Sequence, residues 1–197
     1  KSEARRFAEE HIEPNAEERF RAGEYPWDIL EAARDADLVA QDIPEAYGGR
    51  GLSLTQVLAT AEEFFRADAG IALTLQLASF GAELVVEYGT EEQKEQFLRP
   101  VAEGDQLTGL AVSEPDTGSD LAGLQTRAEL DESAGEDGEW VLNGEKYWIG
   151  NGVEADWLTV YARTGDDESN RYGNHTCFIV PTDAEGYHAE HIPEKMG

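Results

Sequence analysis

The spacing of the hydrophobic residues changes near residue 105, and this change constrains the fold more than any other feature of the chain. Upstream of it, an apolar face at helical spacing is formed by Leu54, Val57, Leu58, Ala61, Phe64 and Phe65. Downstream, short apolar runs over residues 107–112, 157–162 and 176–180 are typical of strands. Helices followed by strands indicate two segregated structural units and disfavour the strand–helix alternation of a parallel sheet.

Several residues predict where helices begin and how far they extend. Ser53 with Gln56, and Thr90 with Gln93, match the capping box, in which two side chains satisfy N–H groups at a helix start. Residues 69–86 are apolar nearly all round, so we expect them to form one central helix of a bundle. Their uncharged part, residues 69–82, is too short to span a bilayer.

The second half of the chain contains a hairpin signal. Residues 140–142 and 147–149 flank Asn143 and Gly144, a pair that favours a two-residue turn between antiparallel strands. The single cysteine, Cys177, excludes an internal disulfide. Because it lies in a predicted strand, we expect it to pack in the core.

The charge balance excludes two classes of partner. The chain has 42 acidic and 15 basic residues and a formal net charge of −27, whereas nucleic acids and anionic membranes need a basic face. Its 40% hydrophobic content favours a folded core over disorder. The basic residues are 11 Arg and 4 Lys, and an acidic, lysine-poor surface indicates adaptation to high salt, with an ordinary acidic cytosolic protein as the alternative. Without a visible secretory signal, we expect a cytoplasmic location.

Residues 112–120 are the segment with the most ligand-binding chemistry. They combine hydroxyls, a glycine and turn-forming residues directly after an apolar run, so they can present N–H groups and hydroxyls to an anionic or heterocyclic ligand. A plain turn capped by Asp and Ser side chains is the alternative. The segment lacks the glycine patterns of a Walker loop and of a dinucleotide fingerprint. His188, Glu190 and His191 are too weakly patterned to predict a metal site.

Four ordered blocks together closely resemble the acyl-CoA dehydrogenase family. The blocks are residues 44–53, 89–94, 112–120 and 143–152, and the closing Lys195, Met196 and Gly197 are similar to a segment of that family's middle domain. Because the blocks keep family-like order and spacing, they are far more specific than any one motif. The resemblance covers essentially the whole chain.

This resemblance implies an α+β fold, with an all-α helical bundle domain over residues 1–105 and an antiparallel β-barrel-like domain over residues 106–197. The second domain is expected to be incomplete and the family's C-terminal helical bundle to be missing. The resemblance also implies FAD and the α,β-dehydrogenation of an acyl-CoA thioester to a trans-2-enoyl-CoA, in which a carboxylate takes a proton from C-2 and the flavin takes a hydride from C-3. The implied partners are an electron-transfer flavoprotein and further copies of the chain, in a homotetramer or dimer.

By position, the resemblance implies a set of cofactor-binding residues: Leu110, Ala111, Val112, Ser113, Gly118, Ser119, Trp148, Ile149 and Gly150. Within this set, the Ser113 hydroxyl is expected to bond the flavin ring, and Trp148 to pack beside it. Gly118 is expected to allow a close backbone approach, and Ser119 to serve the FAD pyrophosphate and to touch the acyl-CoA substrate. The alternative roles are a cap on Asp120 for Ser119 and a core aromatic of the hairpin for Trp148.

Two positions depart from the family pattern. Asp116 and Thr117 stand where Gly-Ala is common, which places a negative charge near the expected pyrophosphate. Gly150 stands where a Thr or Ser hydroxyl usually bonds flavin N5, which leaves an acyl-CoA oxidase open as an alternative. The family's catalytic carboxylate lies in its C-terminal domain, so we assign no catalytic residue within residues 1–197. A non-catalytic flavin- or acyl-CoA-binding fragment is a further alternative.

Overall fold

The computed structural model describes residues 1–134, 138–167, 169–170 and 172–193. Its helices are α1 (Ser2–Phe7), α2 (Ala16–Ala22), α3 (Trp27–Asp35), α4 (Leu54–Ala67), α5 (Ala69–Gln76), α6 (Ala82–Tyr88), α7 (Glu91–Gln93) and α8 (Arg99–Ala102). Two π-helical stretches, Ala8–Ile12 and Lys94–Leu98, extend α1 and join α7 to α8. Its strands are β1 (Thr108–Ala111), β2 (Arg127–Asp131), β3 (Glu139–Asn143), β4 (Trp157–Arg163) and β5 (His175–Pro181). The predicted order of helices before strands is confirmed.

The helical part is held together by a buried cluster around Phe64 of α4, whose side chain is fully buried. Phe7 packs against it at a ring-centroid distance of 5.6 Å, and Leu75 of α5 belongs to the same cluster. Burying a side chain of this size stabilises the fold by about 1.5–3 kcal/mol. The predicted apolar face of α4 is only partly buried, because Leu54 and Leu58 are 72% and 57% exposed.

Both predicted capping boxes are present. At the start of α4, the Gln56 side chain accepts a hydrogen bond of 3.0 Å from the Ser53 N–H. At the start of α7, the Gln93 side chain accepts from the Thr90 N–H at 2.9 Å, and the Thr90 hydroxyl accepts from the Gln93 N–H at 3.2 Å. These short-range bonds explain why local sequence was sufficient to locate both helix starts.

The prediction of one helix over residues 69–86 is wrong, because the chain unwinds between α5 and α6. Gly81 has a φ of +98°, and a Cβ there would lie 2.4 Å from Thr159 Oγ1, so only glycine fits between the helices and the sheet. In the unwound segment, the Ala78 carbonyl accepts a hydrogen bond of 3.2 Å from the Thr108 N–H. The break therefore provides a backbone contact between the helices and β1.

The predicted α+β fold is confirmed, with helices followed by one sheet of the described strands, but that sheet is mixed and not purely antiparallel. β4 pairs antiparallel with β5, and β2 pairs antiparallel with β3. β1 and β2, however, both run parallel to β4, β1 along residues 157–160 and β2 at the single pair Arg127 and Arg163. The long excursion over residues 112–156 brings β4 back beside β1 in the same direction, which a tight hairpin cannot do.

The predicted hairpin around Asn143 and Gly144 is also wrong. The hairpin is formed by β2 and β3, and residues 144–149 leave the sheet instead of returning along β3. A Cβ at Gly144 would lie 2.4 Å from Thr126 Oγ1, so the chain passes closely over the residue that precedes β2. This route takes residues 144–149 to the loop that follows β1.

The three runs predicted as strands are confirmed as β1, β4 and β5. Cys177 lies in β5 as expected, but its expected place in the core is wrong because the residue is exposed. No helix within the described ranges combines the length and the apolar character that crossing a membrane requires.

Candidate functional site

The site is built where the loop after β1 meets the segment after β3. The Tyr147 N–H donates to the Ser113 carbonyl at 2.8 Å, and Lys146 Nζ donates to the Val112 carbonyl at 3.0 Å. These two hydrogen bonds join two blocks that lie more than 30 residues apart in the chain. The structure thus brings residues 112–113 beside residues 146–148.

A buried carboxylate fixes the loop in place. The Glu114 side chain is 4% exposed and accepts hydrogen bonds from the N–H groups of Gln125 and Thr126, at 2.6 and 2.9 Å, and from Lys146 Nζ at 2.9 Å. Burial acts to raise the Glu114 pKa, but these hydrogen bonds outweigh burial and lower the pKa to about 2. Burial lowers the pKa of Lys146, partly offset by its bond to Glu114. Glu114 is therefore an anchor that is ionised at neutral pH, and not a free base.

The anchor was missed by sequence reasoning, and local sequence offered little to reveal it. Glu114 and Lys146 are 32 residues apart, and each is one charged residue in a chain rich in charge. Only the folded structure shows that both are buried and that they face each other.

The departure at Asp116 and Thr117 forms a closed turn. The Glu114 N–H donates to the Thr117 carbonyl at 2.8 Å, and the Thr117 N–H donates back to the Glu114 carbonyl at 3.1 Å. Thr117 is buried and its hydroxyl donates to the Gly123 carbonyl at 3.2 Å, whereas Asp116 is exposed. The unusual pair therefore stabilises the turn itself, and it leaves a negative charge at the exposed corner.

Gly118 and Ser119 follow this turn on an open surface. A Cβ at Gly118 would meet no atom within 4 Å, and Ser119 is exposed. Within the described part of the chain, no hydrogen bond ties the Ser119 side chain to residues 112–113 or 146–148. The structure therefore leaves both residues accessible to a ligand without joining them to the other predicted site residues.

Trp148 is the most unusual residue of the site. Its side chain is 64% exposed and its φ is +62°, a left-handed conformation that bulky residues rarely adopt. Its ring packs edge-on against Tyr147 at a centroid distance of 4.8 Å. The alternative role as a core aromatic of the hairpin is wrong, and the exposed ring face suits stacking on a flat ligand.

Gly150 lies against the helical part of the molecule. A Cβ at Gly150 would lie 2.6 Å from Leu77 Cδ1, so Leu77 fills the space that a side chain would occupy. A Cβ at Gly109 of β1 would lie 2.5 Å from the Gly150 carbonyl oxygen. Because Gly109 and Gly150 lack side chains, this turn packs directly against β1 on one side and against Leu77 on the other.

The remaining predicted residues differ in what they present. Ala111 is 1% exposed and belongs to a small core with Leu158 and Val160 of β4, and Ile149 is half-buried against the same core. Leu110 and Val112 are half-buried and lie in sequence beside Ser113, which is also half-buried. The two joined segments therefore offer apolar side chains, a hydroxyl and an exposed indole ring.

Comparison with known proteins assigns the chain to a family. Residues 1–105 match the family described as "Acyl-CoA dehydrogenase, N-terminal domain", and residues 109–197 match "Acyl-CoA dehydrogenase, middle domain". The chain belongs to the acyl-CoA dehydrogenase family. The similarity of Lys195, Met196 and Gly197 to an acyl-CoA dehydrogenase segment lies outside the described residues.

Individual relatives agree with this assignment. A probable acyl-CoA dehydrogenase of Bacillus subtilis, YngJ, is 37% identical over 97% of this chain and 49% of its own length. A chain in a structure of the electron transferring flavoprotein of Acidaminococcus fermentans has a TM-score of 0.89, with 33% identity over all of this chain and 50% of that one. Glutaryl-CoA dehydrogenase of Mycobacterium smegmatis in complex with FADH2 has a TM-score of 0.87, with 31% identity over 99% of this chain and 47% of that one. The chain thus spans about half the length of the acyl-CoA dehydrogenases that it matches.

Proposed function

We propose that the protein is a flavin-dependent oxidoreductase that dehydrogenates an acyl-CoA thioester to a trans-2-enoyl-CoA. The observation that carries the proposal is the exposed, left-handed Trp148 held beside residues 112–113. A bulky residue persists in such a conformation where the surroundings impose it, and such positions concentrate at ligand sites. The glutaryl-CoA dehydrogenase relative contains FADH2, which supports a flavin as that ligand.

The residues present fit an isoalloxazine ring. Leu110 and Val112 offer apolar contacts, Ser113 offers a hydroxyl for a ring heteroatom, and Trp148 offers a flat aromatic face. Ile149 and Gly150 contribute backbone groups, as does Ala111. FAD, when bound, supplies the hydride acceptor, while these residues bind and orient it and exclude water from its apolar edge.

The phosphate end of the cofactor is assigned to the open surface after the turn. We assign Gly118 and Ser119 to the FAD pyrophosphate, and Ser119 also to the acyl-CoA, because both are accessible and Ser119 carries a hydroxyl donor. Asp116 is exposed at the corner of the same turn, so its charge weakens anion binding there.

The proton abstraction from C-2 needs a carboxylate that is free to accept. Glu114 is unsuited to this role, because its oxygens already accept bonds from Gln125, Thr126 and Lys146 and its pKa is about 2. We therefore do not assign the base to Glu114, and we name no other described residue for this role.

The proposal extends to the whole molecule. Residues 1–105 and 106–197 are the helical and the sheet domain of a homo-oligomeric, salt-adapted cytoplasmic enzyme. Its electrons pass to an electron-transfer flavoprotein. The match to a chain in a structure of the Acidaminococcus electron transferring flavoprotein supports that partner.

An acyl-CoA oxidase is a second candidate, favoured by the environment of Gly150. The position has no hydroxyl, and Leu77 occupies the space beside it. The hydrogen-bond donors near the flavin therefore differ from those of a dehydrogenase with Thr or Ser there. Stoichiometric peroxide during aerobic turnover would identify the oxidase, whereas reduction of an electron-transfer flavoprotein without peroxide would identify the dehydrogenase.

The test is an anaerobic absorbance titration of the FAD-loaded protein, as its gene encodes it, with butanoyl-, octanoyl- and palmitoyl-CoA. We expect the visible flavin absorbance to bleach with at least one of them. A protein that binds FAD and does not bleach would reduce the proposal to a flavin-binding fragment. A protein that does not bind FAD would overturn it.

A further inference from the structure

Asn151 makes three hydrogen bonds with its side-chain amide. Its Nδ2 donates to the Leu77 carbonyl at 2.8 Å and to the Thr108 carbonyl at 3.2 Å, and its Oδ1 accepts from the Tyr25 hydroxyl at 3.1 Å. Two carbonyls require the NH2 group and a hydroxyl donor suits the oxygen, so the chemistry of the partners matches the amide.

The three partners come from parts of the fold that are far apart in sequence. Tyr25 precedes α3, Leu77 lies in the break between α5 and α6, and Thr108 begins β1. The separations from Asn151 are 126, 74 and 43 residues. One side chain therefore fixes a turn of the sheet part to two separate places in the helical part.

The same turn contains the strained residue of the candidate site. Trp148 and Asn151 have φ values of +62° and +60°. Asparagine adopts this conformation readily, whereas tryptophan does so only where neighbouring contacts impose it. The turn must therefore be held by contacts with neighbouring segments and not by the intrinsic preference of Trp148.

Both ends of the turn are fixed by described contacts. On the N-terminal side, the Tyr147 N–H is bonded to Ser113. On the C-terminal side, the Asn151 amide is bonded to Leu77 and Thr108, and the Leu77 side chain covers Gly150. The amide of Asn151 can be removed without changing the loop 112–120.

We propose that Asn151 is a positioning residue that holds the exposed Trp148 in its left-handed conformation. Through its bonds to Leu77 and Thr108, it makes the orientation of the indole ring depend on how the helices seat against the sheet. The effect of Asn151 on Trp148 follows from the geometry alone, whereas its effect on FAD binding rests on the proposed function.

Three variants test the separate hydrogen bonds that the Asn151 amide makes. Asn151→Asp keeps the size and an acceptor for Tyr25, but it removes both donors to the two carbonyls. Asn151→Gly keeps the left-handed backbone at position 151 and removes the side chain. Tyr25→Phe is the matched control, because it deletes one bond of Asn151 and leaves both donors in place.

The first measurement needs no cofactor. In an NMR spectrum of the four tryptophan indole N–H groups, the Trp148 resonance is identified as the one that is missing in Trp148→Phe. We expect its resonance to shift or broaden in Asn151→Asp and Asn151→Gly and to stay in place in Tyr25→Phe. An unchanged Trp148 resonance in a folded Asn151→Asp protein would overturn the proposal.

The second measurement is FAD binding by the same proteins. We expect roughly tenfold weaker FAD binding for both Asn151 variants, because the indole ring is no longer held in place before FAD binds, and an altered flavin absorbance band shape. If the wild type does not bind FAD, the proposed function is overturned and the Trp148 result is unaffected. If the Asn151 variants shift the Trp148 resonance but bind FAD with wild-type affinity, only the inferred effect on FAD binding is overturned.

The wild type gives an independent check if the Asn151 variants do not fold. The two Nδ2 protons of Asn151 are expected to exchange slowly with water, because both are bonded to carbonyls inside the fold. Exchange as fast as that of an exposed asparagine such as Asn143 would contradict the proposal.

Discussion

Trp148 is the residue whose conformation is hardest to explain by folding alone. Left-handed backbone costs a bulky residue about 1–2 kcal/mol, and an indole that is 64% exposed regains little of this by burial. A residue that does not stabilise its own position is better explained by a ligand than by packing.

Substitution of Trp148 separates stability from binding. Because asparagine accepts a positive φ, Trp148→Asn is expected to raise the free energy of unfolding by about 1 kcal/mol and to weaken FAD binding at least tenfold. Urea unfolding of the apoprotein and a flavin fluorescence titration measure the two effects. Trp140→Asn is the control, since Trp140 is 48% exposed in the extended strand β3 and lies outside the candidate site. A less stable Trp148→Asn protein with unchanged FAD affinity would contradict the assignment.

Gly150 and Leu77 are expected to behave as a size-matched pair. Gly150→Ala places a Cβ 2.6 Å from Leu77 Cδ1, so the end of the half-buried Leu77 side chain must move off its preferred rotamer, which is expected to cost about 0.5–1.5 kcal/mol. In a Leu77→Ala background the space is free, so the same substitution is expected to cost nothing measurable. Urea unfolding of the four proteins in this double-mutant cycle gives the coupling energy, and additive effects would show that the two residues do not share that space.

At the level of elements, the loop after β1 depends on one ion pair. Glu114 accepts bonds from the residues that enter β2 and from Lys146, which follows β3. One carboxylate thus joins three pieces of chain. Removing its charge leaves Lys146, whose side chain is 11% exposed, without its buried partner.

Glu114→Gln is therefore expected to destabilise the fold by about 3 kcal/mol. The matched control is Glu145→Gln in the same segment, where the exposed side chain predicts a change within about 0.5 kcal/mol. Chemical denaturation of both variants tests the expectation. Equal stabilities would mean that the buried pair contributes nothing.

The same anchor predicts an acid dependence. The Glu114 pKa in the folded protein is about 2, below its ordinary value of 4.5, so its contribution to stability is complete above pH 4.5 and is lost as the pH falls toward 2. We expect the unfolding free energy of the wild type to fall more steeply over this interval than that of Glu114→Gln. Parallel profiles would contradict the anchoring role.

At the level of the whole molecule, a net charge of −27 produces repulsion between carboxylates, which local ion pairs oppose. Glu63 is a clear case of the latter, since its side chain is 1% exposed and contacts Arg5, Arg66 and Lys1. The bond from Arg5 is the main reason that its pKa falls to about 2. Three of only 15 cations are thus used on one carboxylate, in a chain whose 42 acidic residues outnumber its cations by 27.

Salt is therefore expected to stabilise the protein. The screening length falls from about 10 Å at 0.1 M to about 3 Å at 1 M, which suppresses repulsion between exposed carboxylates more than it weakens the buried pairs. We expect the melting temperature to rise between dilute buffer and molar KCl. The same rise in NaCl would assign the effect to ionic strength and not to potassium, and an unchanged or lower melting temperature in both salts would contradict salt adaptation.

Local sequence was sufficient for the features that depend on neighbouring residues. The capping boxes at Ser53 and Thr90 close over three residues, and the strands at β1, β4 and β5 are continuous apolar runs. Hydrogen bonds and hydrophobic spacing of this range depend only on residues that are close in sequence. Of the two segments of the candidate site, residues 112–120 were recognised from their own composition, whereas residues 148–150 were assigned only through the resemblance to the family.

The features that sequence reasoning missed all depend on distant partners. The hairpin at Asn143 was mispredicted because Gly144 packs on Thr126 and Tyr147 bonds to Ser113. The break at Gly81 exists because the helices approach Thr159 of β4. A local pattern favours a turn or a helix by about a kilocalorie, and a buried contact to a distant segment outweighs that preference. The sequence thus determined the elements and the motifs, whereas tertiary packing decided which motifs meet, which glycine breaks a helix and why Trp148 is left exposed.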